Sequence, residues 1–116
     1  QTGVLTTSRA YIAANEAGVR DLIAAFIEAI RFAKANRAET LRIVGRFTRT
    51  TDREELEEGY NVFVVKQFQD IPRVSLAGIQ AVLDELATRN PRARGARPEQ
   101  FVDLRFLKPY EAGGRP

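Results

Sequence analysis

The feature that most constrains the fold of this 116-residue chain is a long stretch of helical periodicity near its beginning. The apolar positions of this stretch are Val19, Leu22, Ile23, Phe26, Ile27, Ile30 and Ala33. Their spacings of three and four place them on one stripe of a helix, while the charged residues fall mostly elsewhere. The pattern therefore predicts a helix from about Glu16 to Ala35, capped by Asn15, that buries one face.

Two capping signals predict further helices in the middle of the chain. Asn36 followed by Glu39, and Thr51 followed by Glu54, have the spacing of a capping box, in which the two side chains bind each other's backbone amides. The apolar residues of the first helix are Leu41, Ile43, Val44 and Phe47. The second helix should extend to about Phe68. Its segment 62–65 could be a strand in isolation, but the capping box and the helical spacing of the apolar residues favour a helix.

The remaining helices are marked by serine and proline. Ser75 should cap a helix that carries Leu76, Ile79, Val82, Leu83 and Leu86 and ends before Pro91. Pro98 suits the first position of a short helical turn over residues 98–101. Residues 102–107 are apolar-rich but mixed, and the tail over residues 111–116 should be frayed.

The beginning of the chain has a different pattern, which is typical of a strand. Residues 3–7 (GVLTT) are rich in β-branched side chains and bounded by Gly3 and Ser8. Ser8 should then cap a short helix over residues 9–14 that buries Tyr11 and Ile12. The predicted fold is thus mainly α, with one N-terminal β-strand followed by five or six helices. It forms a single segment over residues 1–116, with its helical region at residues 9–107.

A lone strand leaves its backbone donors and acceptors unpaired on both edges. We therefore expect residues 3–7 to join a sheet whose other strands lie outside this sequence. The alternative is that the strand pairs with another chain, for example in a homodimer.

Composition excludes several kinds of chemistry. The chain has no Cys and no His, so it offers no thiol nucleophile, no disulfide and no imidazole base or metal ligand. It also lacks the glycine patterns of phosphate-binding loops. The carboxylates over residues 52–58 are best explained as a solvated helix start. We therefore expect no catalytic residue, no metal site and no cofactor, and hence no enzymatic activity of the chain itself.

The charge balance gives little reason to expect a nucleic-acid partner. Eighteen basic and fifteen acidic residues give a net charge of +3, and the two signs mostly alternate along the chain. Arg92, Arg94 and Arg97 form the exception, but they have no aromatic residue between them on which a base could stack. The pattern favours a solvated loop.

The best candidate for a ligand contact is Thr6, Thr7 and Ser8. They follow the predicted strand and precede a helix, and ligands of open α/β sheets bind near strand ends of this kind. The alternative, that these hydroxyl groups only end the strand and cap the helix, stays open.

The order of these pieces resembles the C-terminal segment of periplasmic solute-binding proteins of ABC importers, in the nitrate, sulfonate, taurine and thiamine-pyrimidine-precursor class. Residues 7–13 (TSRAYIA) resemble the strand-end and short helix of that class, and residues 15–19 and 26–36 resemble the long helix that follows. The other similar stretches are residues 38–44, 74–80 and 101–107. The sequence departs from the family where Glu16 and Arg37 replace a frequent proline at helix starts.

This resemblance implies a fragment of a two-lobed α/β periplasmic-binding fold, located in the periplasm or otherwise outside the cytoplasm. It implies a small solute (a sulfonate, nitrate, taurine or a pyrimidine) that is bound mainly by other residues, and a membrane permease as partner. The lack of an initiator Met and of a signal peptide indicates processing or truncation at Gln1. Two alternatives are a stand-alone helical module that dimerises through its strand and a fragment of a thiamine-pyrimidine synthase-like enzyme.

Overall fold

The computed structural model describes residues 4–111, which fold into helices joined by short connections. The α-helices are α1 (Arg9–Ala14), α2 (Glu16–Ala35), α3 (Arg37–Thr48), α4 (Arg53–Tyr60), α5 (Leu76–Ala87) and α6 (Lys108–Glu111). A π-helix (Asn61–Gln67) continues α4, and two 3₁₀ turns (Pro91–Ala93 and Pro98–Phe101) follow α5. The described residues divide into two compact units, one made of 4–19 with 73–111 and the other of 20–72.

The predicted N-terminal strand is wrong. Residues 4–8 have no regular secondary structure, no strand occurs anywhere between residues 4 and 111, and Gly3 lies outside the described residues. The physical reason is that β-branched side chains favour an extended backbone but a strand forms only when another strand completes its hydrogen-bond ladder. The expectation that these residues belong to a partly missing α/β sheet is therefore wrong as well.

The short helix α1 forms where it was predicted, with its predicted cap. The Ser8 hydroxyl accepts a hydrogen bond from the amide of Tyr11 at 3.1 Å. The predicted burial of Tyr11 is wrong, however, because its side chain remains 55% exposed. Capping depends on local spacing, whereas burial depends on what packs against the helix.

The long helix α2 has the predicted bounds but buries only part of its apolar stripe. Ile27 is fully buried, and Val19 and Ile30 are buried nearly as well. Leu22, on the same stripe, is 57% exposed. Some apolar side chains of the stripe are therefore buried and others are exposed to solvent, and the helical period of the sequence does not distinguish the two.

In the second unit, α3 and α4 start differently from the predicted capping boxes. The Asn36 side chain makes no capping hydrogen bond, and its amide nitrogen donates instead to the carbonyl of Phe32 at the end of α2. Asp52, not Thr51, caps α4, because its carboxylate accepts from the amides of Glu54 and Glu55 at 2.9 and 3.2 Å. The helices form in the predicted places, but the cap at α4 lies one residue later.

The predicted helix to about Phe68 is confirmed, although its last part is a π-helix. The amide of Phe68 donates to the carbonyl of Phe63 at 2.9 Å, which is the five-residue spacing of that conformation. The segment contains the β-branched residues Val62, Val64 and Val65, which pack less well in a regular α-helix than unbranched side chains do. Val64 is the one buried residue of the π-helix.

The first unit is organised around α5 and the turns that follow it. The Ser75 hydroxyl accepts from the amide of Gly78 at 3.0 Å, so the predicted cap is confirmed. The predicted turn over Pro98–Phe101 is confirmed as well, and α5 packs against both 3₁₀ turns. The buried residues of this region are Leu83, Pro98, Phe106, Leu107 and Tyr110.

Candidate functional site

The residues predicted to contact a ligand lie on an exposed, irregular segment. Thr6, Thr7 and Ser8 are all solvent-exposed. The Ser8 side chain caps α1, a helix of only six residues. The three hydroxyl groups are neighbours in sequence on an exposed segment without regular secondary structure. The capping role, left open by the sequence, is the one that the geometry supports for Ser8.

The most connected polar cluster of the second unit lies where α3 and α4 meet. The Arg53 Nε donates to a Glu57 carboxylate oxygen at 3.1 Å, and the Arg37 guanidinium lies 3.6 Å from the other oxygen. Arg37 also lies over the ring of Tyr60, with 5.4 Å between its guanidinium carbon and the ring centroid. Arg42 and Glu39 form a separate pair on α3, at 2.9 Å between Nε and a carboxylate oxygen.

The pKa shifts in this cluster all favour the charged forms. The hydrogen bond from Arg53, together with the charge of Arg37, holds the pKa of Glu57 below its usual range. In the separate pair on α3, the hydrogen bond from Arg42 likewise lowers the pKa of Glu39, and Glu39 raises the pKa of Arg42. A general acid or base at neutral pH needs the opposite shift. The Arg37–Glu57 contact joins α3 to α4, and the lowered carboxyl pKa values do not suit proton transfer at neutral pH.

Two hydroxyl groups converge on one backbone carbonyl beside this cluster. The nearly buried Tyr60 donates its hydroxyl hydrogen bond to the carbonyl of Ala33 at 2.8 Å. The buried Thr40 hydroxyl lies 3.4 Å from the same carbonyl and 2.9 Å from that of Asn36. These contacts join the end of α2 to α3 and α4, and they provide donors to the carbonyl of Ala33 in the last turn of α2.

An open apolar groove of about 460 Å³ lies between α2 and α3 in the second unit. It is lined by Ala25, Glu28, Ala29, Phe32, Ala33, Thr40 and Ile43. Beyond the groove, on the last turn of α3, Phe47 is 83% exposed. Single exposed apolar side chains are common on protein surfaces, whereas contiguous apolar patches mark contact sites. Phe32, which lines the groove, is 45% exposed as well.

Between residues 4 and 111, no group of three or more acidic side chains is arranged to hold a metal ion. None of the helices in this range combines the length and hydropathy that a membrane span requires. Arg92, Arg94 and Arg97 are exposed on the segment after α5, where Arg94 donates to the carbonyl of Ala87 at 3.3 Å.

Comparison of the chain with protein-family models, with curated proteins and with solved structures found no match.

The sequence contains a signal for part of these features only. Arg53 and Glu57 have the four-residue spacing of a helical ion pair, so their contact could have been predicted. The contacts of Arg37 with Glu57 and Tyr60 join residues twenty or more positions apart, and periodicity does not reveal them. The groove was missed for the same reason, because α2 and α3 must pack before it exists.

Proposed function

We propose that this chain is part of the extracytoplasmic solute-binding component of an ABC importer for a small solute, such as a sulfonate, nitrate, taurine or a pyrimidine. The proposal rests on the resemblance of residues 7–13, 15–19, 26–36, 38–44, 74–80 and 101–107 to that class. In this role the chain would not be an enzyme. The complete component would bind its solute and deliver it to a membrane permease.

The observation that carries the proposal is the apolar surface that the first unit leaves exposed. The large apolar side chains concerned are Val4, Leu5, Tyr11, Leu76, Val82, Leu86 and Phe101. These side chains are 38–59% exposed, so covering each of them fully would add roughly half of the 1.5–3 kcal/mol that complete burial of such a group gives. Further residues of a larger solute-binding component would cover them, so the role we assign to these helices is to pack against that protein.

The same reasoning says what the chain should not do alone. The described residues offer open apolar grooves, and the polar candidates Thr6, Thr7 and Ser8 stand on an exposed segment. Small-molecule sites usually enclose most of the ligand and place a few polar groups around it. We therefore expect the solute to be held mainly by other residues of the component.

The test starts from the coding sequence upstream of Gln1 and the protein that it encodes. We expect a secretion signal, and one-to-one binding of taurine, an alkanesulfonate, nitrate or an aminopyrimidine by titration calorimetry. The matched control is the 116-residue chain, which should give no isotherm with any of the four ligands. An upstream region without a secretion signal would contradict the proposal, and so would tight one-to-one binding by the 116 residues alone.

A further inference from the structure

We propose that a second copy of this chain docks on the face formed by α2 and α3, with Phe47 of each copy inserted into the α2–α3 groove of the other. The inference concerns only residues 20–72 and does not depend on the proposed function. It replaces the predicted dimer through an N-terminal strand with a helical interface.

The inserted group would be Phe47, which points away from the rest of its unit. A Cβ atom added at Gly45 would lie 3.1 Å from the carbonyl oxygen of Thr50 and 3.2 Å from a methyl group of Leu56, so the Gly45 side of α3 faces α4. Phe47 is two residues further along, which is about 200° around the helix. Its 83% exposure agrees with this direction. Val44, one turn earlier, is 40% exposed and extends the same apolar face.

The receiving site would be the α2–α3 groove. Ala25, Ala29 and Ala33 are spaced by four residues along α2, so their small side chains leave a continuous depression. Thr40 and Ile43 of α3 form the other wall. The volume of about 460 Å³ leaves room for an inserted aromatic ring.

The protruding Phe47 ring and the α2–α3 groove belong to one continuous surface, which is the requirement for a two-fold interface. Ile43 lines the groove and lies one helical turn before Phe47 on α3. In a symmetric dimer the same patch must contact itself, so a protruding group and its receiving depression must lie side by side. A face with both features can therefore close into a dimer in which each copy inserts one ring and receives one.

Charge complementarity favours a second copy over an unrelated apolar partner. Arg46 and Arg49 flank Phe47, while Glu28 lies at the groove. Within residues 4–111 the structure records no ion pair for any of these three groups. Inserting Phe47 into the groove of another copy brings the cation of Arg46 toward the carboxylate of Glu28. The pairing would be reciprocal, and it adds mainly orientation and specificity.

The experiment is sedimentation of the purified 116-residue chain over a concentration series, at low and at high salt. We expect a reversible monomer–dimer equilibrium. Phe47→Ala should raise the dissociation constant at least about tenfold, since central aromatic residues dominate interface energies. Ala29→Leu, which fills the groove and leaves Phe47 in place, should have a similar effect. Circular dichroism would verify that each variant keeps its helices.

The matched control is Phe63→Ala, which removes an exposed ring of the same unit outside the proposed face. This variant should dimerise like the wild type. Glu28→Arg and Arg46→Glu should each weaken the dimer, and the two changes together should restore it. The inference is overturned by a wild-type chain that stays monomeric, by Phe47→Ala or Ala29→Leu dimers of unchanged affinity, or by a charge exchange that restores nothing.

Discussion

Replacing Ile27 by alanine should lower the free energy of unfolding much more than the same truncation at Leu22, although both residues belong to one apolar stripe of α2. Ile27 is the fully buried side chain of the described core, whereas Leu22 is 57% exposed. The comparison therefore separates what the helical period indicates from what tertiary packing decides.

The magnitude follows from the carbon atoms removed and from their burial. Each substitution deletes three carbon atoms, at about 0.8 kcal/mol per buried group, and the fully buried site adds the free energy of the cavity left behind. Ile27→Ala should therefore cost about 3 to 4 kcal/mol. Leu22→Ala loses less than half of the transfer free energy and leaves no enclosed cavity, so its cost should be about 1 kcal/mol or less.

The assay is urea denaturation followed by far-ultraviolet circular dichroism, with the free energy extrapolated to water. Ile27→Val, which should cost about 1 kcal/mol, provides a measurable value if the alanine variant is unfolded in water. Equal losses at Ile27 and Leu22 would refute the reasoning, because they would mean that the two positions are equally buried in the folded chain.

Three smaller predictions concern caps, backbone conformation and pH. Asp52→Ala removes the α4 cap and should lower the free energy of unfolding by about 1 kcal/mol, measured by thermal or urea denaturation. Asn36→Ala removes no capping bond and should lower it by less than about 0.5 kcal/mol. Equal costs for the two variants would contradict the assignment of the cap. Arg49→Gly should raise the free energy of unfolding by about 0.5–1 kcal/mol, because Arg49 has a left-handed φ of 57° that glycine adopts without a Cβ penalty. A lower melting temperature of this variant would contradict the prediction. The pKa values of Glu39 and Glu57 are lowered in the folded chain, so their ion pairs contribute stability above the ordinary pKa of 4.5. This contribution is lost as the pH falls through the folded-state pKa values. Carboxyl titrations by NMR with midpoints at or above 4.5 would refute this.

Local signals in the sequence predicted the helices well because each depends on neighbouring residues. The period of three and four gave the bounds of α2, and Ser8 and Ser75 capped the helices that they were expected to cap. Where two nearby polar residues compete for the same helix start, the outcome depends on backbone angles that the sequence leaves open. At α4 the cap is Asp52 and not Thr51, and the Thr50 hydroxyl bonds the Glu55 carboxylate at 3.0 Å.

The N-terminal segment shows the limit of such reasoning most clearly. Residues 4–8 have the composition of a strand, yet the structure gives them no strand partner within the residues that it describes. Strand propensity reflects how well side chains fit a sheet that already exists, so composition alone cannot establish a ladder. The candidate ligand residues Thr6, Thr7 and Ser8 were placed at the end of that strand, and their predicted surroundings disappear with it.

The candidate docking face could be predicted only in part. The alanines at positions 25, 29 and 33 and the apolar Val44 and Phe47 are visible in the sequence, and their spacing places each set on one side of a helix. That α2 and α3 leave a groove between them, and that Phe47 stands outside the core, are properties of the packed unit.

The sequence by itself determined which segments are helical and the approximate bounds of most of them, because capping and periodicity act over a few residues and need no distant contact. It also determined that imidazole and thiol chemistry are absent, since no His or Cys occurs in the chain. Only the tertiary structure decided which apolar residues form a core and which remain on the surface. The physical reason is that burial depends on the surface opposite each helix face, and residues far apart in the chain supply that surface.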